Sequence, residues 1–109
     1  WKLGNREGAL HDYEYHLAFH PDSLAGYSER AELRLEMGDR KGAIADLREA
    51  IRLSPKSCDL HFERGGVYED LGQWKEAAAD FSRSLDLAPG NWVRRAEARR
   101  RRDEARARE

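Results

Sequence analysis

The sequence holds a single cysteine, Cys58, and a single methionine. One thiol cannot close an internal disulfide. This excludes a disulfide-framed secreted scaffold and favours a reducing compartment such as the cytoplasm. No apolar run approaches the ~20 residues that a membrane helix requires, and no signal-like apolar stretch is present. Nothing reads as a strand, so there is no glycine-rich phosphate loop between strand and helix, and no nucleophile–base constellation appears. These absences predict no catalytic residue, no cofactor and no enzymatic activity. Apolar residues make up only 39% of the chain and charged residues 38%. That balance suits a thin body with much surface, one domain by length.

Proline is scarce too, and its placement is informative. The three prolines stand at Pro21, Pro55 and Pro89, 34 residues apart. The same interval separates Gly4, Gly38 and Gly72, then Ala9, Ala43 and Ala77, then Asp12, Asp46 and Asp80. A fixed period of this size marks a stacked repeat array. Each unit divides into two amphipathic helical halves. In residues 24–57 the first half carries Tyr27, Ala31, Leu33 and Met37 at mainly helical spacing. Gly38 follows as a residue suited to the left-handed position after a helix. The second half has apolar residues at 43, 44, 47, 50, 51 and 53, and ends at Ser54-Pro55. Ser23, Ser57 and Asn91 follow the prolines by two residues and are suited to cap the next helix. The pattern predicts helices near 7–19, 24–37, 41–53, 58–71, 75–87 and 92–107. The expected organisation is one helical-repeat domain: a partial repeat over 1–23, repeats over 24–57 and 58–91, and an arginine-rich terminal helix over 92–109. Because the chain opens on Trp1 inside a repeat, it reads as a segment of a longer protein.

This pattern resembles the tetratricopeptide repeat family over roughly residues 1–91. The resemblance rests on small Ala31 and Gly65 and aromatic Tyr27 and Tyr68 in the first helices. In the second helices it rests on small Ala9, Ala43 and Ala77 and large Tyr13, Leu47 and Phe81; the glycine turns and closing prolines complete it. It implies an all-α fold, a right-handed solenoid of antiparallel helix pairs with a capping helix. It also implies a protein–protein interaction scaffold whose first helices line a concave peptide-binding groove. The implied lining is Ala25, Ser28, Glu29, Glu32, Leu35 and Glu36 in one helix. In the next it is Asp59, Phe62, Glu63, Gly66, Glu69 and Asp70. Seven of these twelve are acidic and none is basic. A basic or mixed basic–apolar peptide or partner helix is therefore the expected ligand. Members that grip acidic chaperone tails use lysines, an arginine and asparagines here. The matching positions hold Ser, Glu, Phe, Asp or Gly, so acidic chaperone tails are not expected as partners.

Two departures from the family pattern carry expectations of their own. Arg30 and Arg64 stand where a large apolar residue is usual, on the inner side of their helices. A charge there needs a partner. The only acids recurring in phase on the second helices are Asp12, Asp46 and Asp80, which predicts arginine–aspartate pairs within a repeat or to the preceding one. His16 takes the place that Ala50 and Ser84 hold in the other units.

The remaining candidates have plainer explanations. His16 and His20 share a helix face, and Cys58 and His61 lie three apart. Zinc needs about four converging ligands, and these pairs belong to different repeats. No metal site is expected. Residues 91–109 hold eight arginines against four acids. This raises an accessory nucleic-acid or membrane contact as one alternative function. With Trp92 as its only aromatic and acids interleaved, the segment reads rather as a capping helix. Its first turns should pack on the last repeat, and its far end should be free to reach a neighbouring molecule. A second alternative is an architectural element packed against the rest of its parent chain. The first unit lacks most of its leading helix, so Leu10, Tyr13, Leu17 and Phe19 are expected to be exposed, with self-association as a consequence.

Overall fold

The computed structural model describes residues 5–109. The partial helix read at WKLG, and the turn role of Gly4, lie outside the described residues. Among them are six helices and no strand: α1 (Arg6–Phe19), α2 (Leu24–Glu36), α3 (Arg40–Leu53), α4 (Cys58–Asp70), α5 (Trp74–Leu87) and α6 (Arg95–Ala107). The fold class is all-α helical repeat, as the period implies. The chain forms two compact units, Trp1–Ser54 with α1 to α3 and Pro55–Glu109 with α4 to α6.

Local chemistry sets the helix ends. Ser23 caps α2 by accepting from the Gly26 N–H at 3.0 Å, and Ser57 caps α4 by accepting from Leu60 N–H at 3.3 Å. Gly38 and Gly72 have φ of +82° and +72°. After α2, the Gly38 N–H donates to Leu35 O at 3.1 Å and the Asp39 N–H to Arg34 O at 2.8 Å. After α4, Gly72 and Gln73 repeat this with Glu69 and Tyr68 at 3.0 and 2.9 Å. These paired bonds satisfy carbonyls the helix leaves open, and only glycine enters that left-handed position without strain. Asp39 then caps α3 through the Gly42 N–H at 2.9 Å.

The prediction fails at the start of the last helix. Asn91 caps nothing, and α6 begins at Arg95 rather than residue 92. Residues 89–94 turn instead, with Trp92 N–H donating to Pro89 O at 3.0 Å. The indole explains the difference. Its N–H donates to Asp59 at 3.0 Å, and its ring meets Phe62 edge-on at 5.6 Å. Docking Trp92 on α4 holds the backbone out of helix for one more turn.

In the first unit, Leu33, Ala43, Leu47 and Ala50 are buried where α2 packs on α3. In the second, Phe62, Ala77, Ala78, Phe81 and Leu85 form one cluster with Ala98 and Ala105 of α6. Gly65 is needed for this packing: a Cβ there would sit 3.0 Å from the Phe81 ring. Leu17 is buried, contrary to the exposed face expected of α1, because it packs toward Gly26 at the start of α2. Leu10 and Tyr13 are half-buried, and Phe19 is exposed.

Candidate interaction surface

Buried ion pairs orient the first helix of each repeat. Arg30 Nε donates to both oxygens of Asp46 at 3.0 Å, and its Nη2 donates to Oδ1 at 2.6 Å. Arg34 Nη1 adds a bond to Asp46 Oδ2 at 2.9 Å. In the next repeat Arg64 grips Asp80 with two parallel bonds at 2.8 Å, and Arg83 adds a third at 3.0 Å. Both carboxylates are essentially inaccessible to solvent, at 1% and 0% exposure. The Asp80 hydrogen bond holds the Arg64 guanidinium above its ordinary pKa, against the opposing effect of burial. The expected arginine–aspartate pairs therefore form, and they form within each repeat.

These pairs fix which side of α2 faces outward. Glu29, Glu32 and Glu36 are exposed, with Leu35 among them and Ala25 above. Ser28 is half-buried beside them. Glu36 meets Arg6 of α1 at 3.6 Å, a surface pair of small energetic weight. The acidic face read from the sequence is thus open on α2, with an exposed leucine inside it.

The corresponding side of α4 is occupied differently. Phe62 is buried at 6% exposure, packed against Phe81 and Trp92. Arg94 and Arg101 each stand 5.2 Å from its ring centre. Arg101 Nη2 lies 2.5 Å from Glu69, its Nη1 lies 3.2 Å from Glu97, and its guanidinium covers Gly66. Burial opposes the Arg101 charge, but the bonds and charge of Glu69 and Glu97 outweigh it and raise its pKa. Asp59 is taken by the Trp92 indole. Glu63 and Asp70 remain exposed. Sequence reasoning missed this cover. A contact between Trp92 or Arg101 and α4 spans 32 or 33 residues and occurs once, so no repeat announces it.

The far end of α6 is also anchored within its own unit, contrary to the expectation that it would be free. Arg106 donates to Ser82 at 3.3 Å, and Arg108 stands 5.0 Å from the Trp74 ring centre. Buried Ala98 and Ala105 seat the helix along its length, so its last turn stays on α5. Trp74 itself packs on the core cluster. A cleft of about 330 Å³ between these elements is lined by Glu69, Trp74 and Arg108 with charged residues of α6.

Three of the four histidines have structural partners. His16 shares a hydrogen bond with Ser23 at 3.0 Å and stacks on His20 with ring centres 4.9 Å apart. They border an open cleft of about 430 Å³ with Phe19 and Asp22. His61 is buried, and its Nε2 donates to Pro55 O at 3.0 Å. This repeats the role of Tyr27, whose hydroxyl donates to Pro21 O at 3.0 Å. The two positions are one period apart, a signal available in the sequence. No helix among the described residues is long and apolar enough to cross a membrane.

Known proteins share this arrangement. A family profile described as Tetratricopeptide repeat matches residues 28–91. No curated protein matches the sequence. Among solved structures, MamA protein is 21% identical over 96% of this chain with a TM-score of 0.74. The P58(IPK) TPR domain is 28% identical over 95% of this chain with a TM-score of 0.79. The first TPR of Spaghetti (RPAP3), bound to the HSP90 peptide SRMEEVD, is 24% identical over 95% of this chain with a TM-score of 0.78. This chain spans 61% of the MamA chain, 29% of the P58(IPK) chain and 82% of the Spaghetti chain. With the profile covering more than half of its residues and the helix pairs, glycine turns and small-residue packing all in place, the chain belongs to the tetratricopeptide repeat family.

Proposed function

We propose that this protein is a non-catalytic interaction module that binds a basic or basic–apolar peptide segment of a partner on the outward face of α2. One observation carries the reading. Glu29 and Glu32 stand open, with Glu36 exposed beside Arg6, on a helix whose rotation is set by the buried Arg30–Asp46 pair, and Leu35 is exposed among them. Such a surface offers carboxylates to lysine or arginine and an apolar contact between them. It opposes an acidic ligand, since like charges brought together are costly. The Spaghetti repeat binds an acidic peptide; the acids on α2 argue for the opposite preference here. On α4, within its own unit, Glu63 and Asp70 are exposed acids, whereas Phe62, Gly66 and Glu69 serve the packing of α6. The cytoplasm is the compartment we propose, on the strength of the lone Cys58.

The test is fluorescence anisotropy with lysine-rich and glutamate-rich peptide libraries that each carry leucine. Basic members should bind at micromolar Kd, about −8 kcal/mol, and acidic members should not. Binding should weaken between low salt and about 0.15 M, where screening acts over ~8 Å. Glu29→Lys with Glu32→Lys should weaken it further. Equal binding of both libraries would remove the charge preference.

A further inference from the structure

The helix pair α2–α3 carries opposite charges on its two outer sides. On α2, Ala25, Glu29, Glu32 and Glu36 follow one another at intervals of four, three and four residues, and all are exposed. On α3, Lys41, Ala45, Arg48 and Arg52 follow at the same intervals and are also exposed. This spacing puts each set on one side of its helix. Arg30 and Arg34 of α2 meet Asp46 of α3 in the contact between the helices, where Ala43, Leu47 and Ala50 are buried. The two stripes therefore point away from each other, the acids outward from α2 and the bases outward from α3. The side chains of Lys41 and Arg48, like those of Glu29 and Glu32, make no hydrogen bond or ion pair among the described residues. Arg52 is shared between Glu49 at 3.1 Å and Asp22 at 3.8 Å. The basic stripe is not a demand of the repeat: one period later the same places hold Lys75, Ala79, Ser82 and Asp86, which carry no net charge. Both helices are internal, with α1 before them and α4 after, and both stripes are open with the whole described chain present.

We infer that this protein assembles head to tail with copies of itself, the acidic stripe of α2 in one copy seated on the basic stripe of α3 in the next. The inference rests on the reading of α2 as a face for basic ligands, and it names the ligand as a second copy. Glu29 to Glu36 and Lys41 to Arg48 each span seven residues, about 10.5 Å of helix. Within a copy α2 and α3 run antiparallel, Arg30 reaching Asp46 and Arg34 reaching Gly42. Between copies the same orientation brings Glu29 to Arg48 and Glu36 to Lys41. Ala45 then lies opposite Glu32, and Ala25 opposite Arg52, small residues that let the helices approach. A foreign basic helix would also suit α2, but it would leave the α3 stripe without a role; a second copy uses both. The net charge of −1 leaves little repulsion between copies. Because the stripes face opposite ways, each contact leaves one stripe of each sign open, and the assembly grows beyond a dimer.

The test is sedimentation velocity of the full chain at concentrations up to about 1 mM, in about 0.02 M and about 0.5 M salt, where the screening length falls from roughly 20 Å to roughly 4 Å. At low salt the mean mass should rise continuously past that of a dimer, and at high salt the chain should be monomeric. Glu29→Arg and Arg48→Glu should each lower the association constant by about tenfold or more, because each turns an attraction into a repulsion. Mixing the two variants should restore assembly, since the two changed positions then meet with opposite charges and the parent contact survives on the other side. Both positions are exposed, so circular dichroism of the variants should match the parent. A monomer throughout at low salt overturns the inference, as does assembly that ignores either variant or does not recover in the mixture. Arg48→Glu should leave lysine-rich peptides bound to the α2 face. A monomeric parent that still binds those peptides would remove the second copy and keep α2 as a face for another basic partner; a monomeric parent that binds none would remove both readings.

Discussion

At the scale of single residues, one sequence position has two energetic meanings. Asp80 is wholly buried and bonded to Arg64 and Arg83, while Asp12, in the same repeat phase, stands in solvent. Removing one partner of a buried pair strands the other charge. Asp80→Asn should therefore cost about 3–5 kcal/mol, read as a lowered urea midpoint. Asp12→Asn should stay within about 0.5 kcal/mol. Replacing Arg64 and Asp80 together by methionine and leucine should recover most of the loss, because no charge is then left unpaired. If Asp80→Asn unfolds no more easily than Asp12→Asn, the pair contributes nothing to the fold. The pairing was legible beforehand because its acids and bases recur in phase. The burial of His61 was equally legible, through its alignment with Tyr27 one period earlier.

At the scale of the element, the helices were legible except for the start of the last. Their boundaries follow from residues with one dominant conformational preference: serine before a helix, glycine after it, proline beyond. Gly38 and Gly72 sit in the left-handed region with open space around the missing Cβ. A Gly38→Ala substitution meets no clash, so its cost is conformational alone, about 1–2 kcal/mol. Thermal melts of Gly38→Ala and Gly72→Ala should show equal losses, and an unchanged melt in both would contradict the turn geometry. Ala43 and Ala77 are fully buried at the helix contacts. Leucine at either should overpack the contact by about 1–3 kcal/mol, again visible in the melt. The start of α6 escaped because the period ends near residue 91. Beyond it, Trp92 prefers a long-range partner on α4 to the local helix that its neighbours favour.

At the scale of the whole molecule, charge is segregated along the sequence but paired within the fold. The eight arginines after residue 90 look like a basic tail when read in line. In the structure Arg101 lies between Glu69 and Glu97, Arg100 pairs with Glu104 at 3.2 Å, and Arg102 pairs with Asp103 at 3.1 Å. Arg94 faces Asp59 at 3.9 Å, Arg95 is bonded to backbone carbonyls, Arg106 reaches Ser82 and Arg108 lies over Trp74. Among the described residues, Arg99 alone of the eight has no such partner. Binding to a polyanion draws its strength from released counterions, about one for each phosphate neutralised. A helix with one uncommitted guanidinium releases few, and recruiting Arg101, Arg95 or Arg106 means breaking bonds that seat α6 on its unit. The protein should therefore leave a heparin column near physiological salt, about 0.15 M. Duplex DNA titrations should show a shallow salt dependence, with a slope near −1 on logarithmic axes. Reversing Glu69 and Glu97 to lysine removes both carboxylates that hold Arg101 and adds positive charge beside it. That variant should gain retention on heparin while losing thermal stability, because the Glu69 bonds to Arg101 pin α6 over Phe62 and Gly66. Strong retention of the unmodified protein, persisting well above physiological salt, would mean that the pairs yield to phosphate. The arginine-rich helix would then have to be read as a polyanion site rather than as a cap.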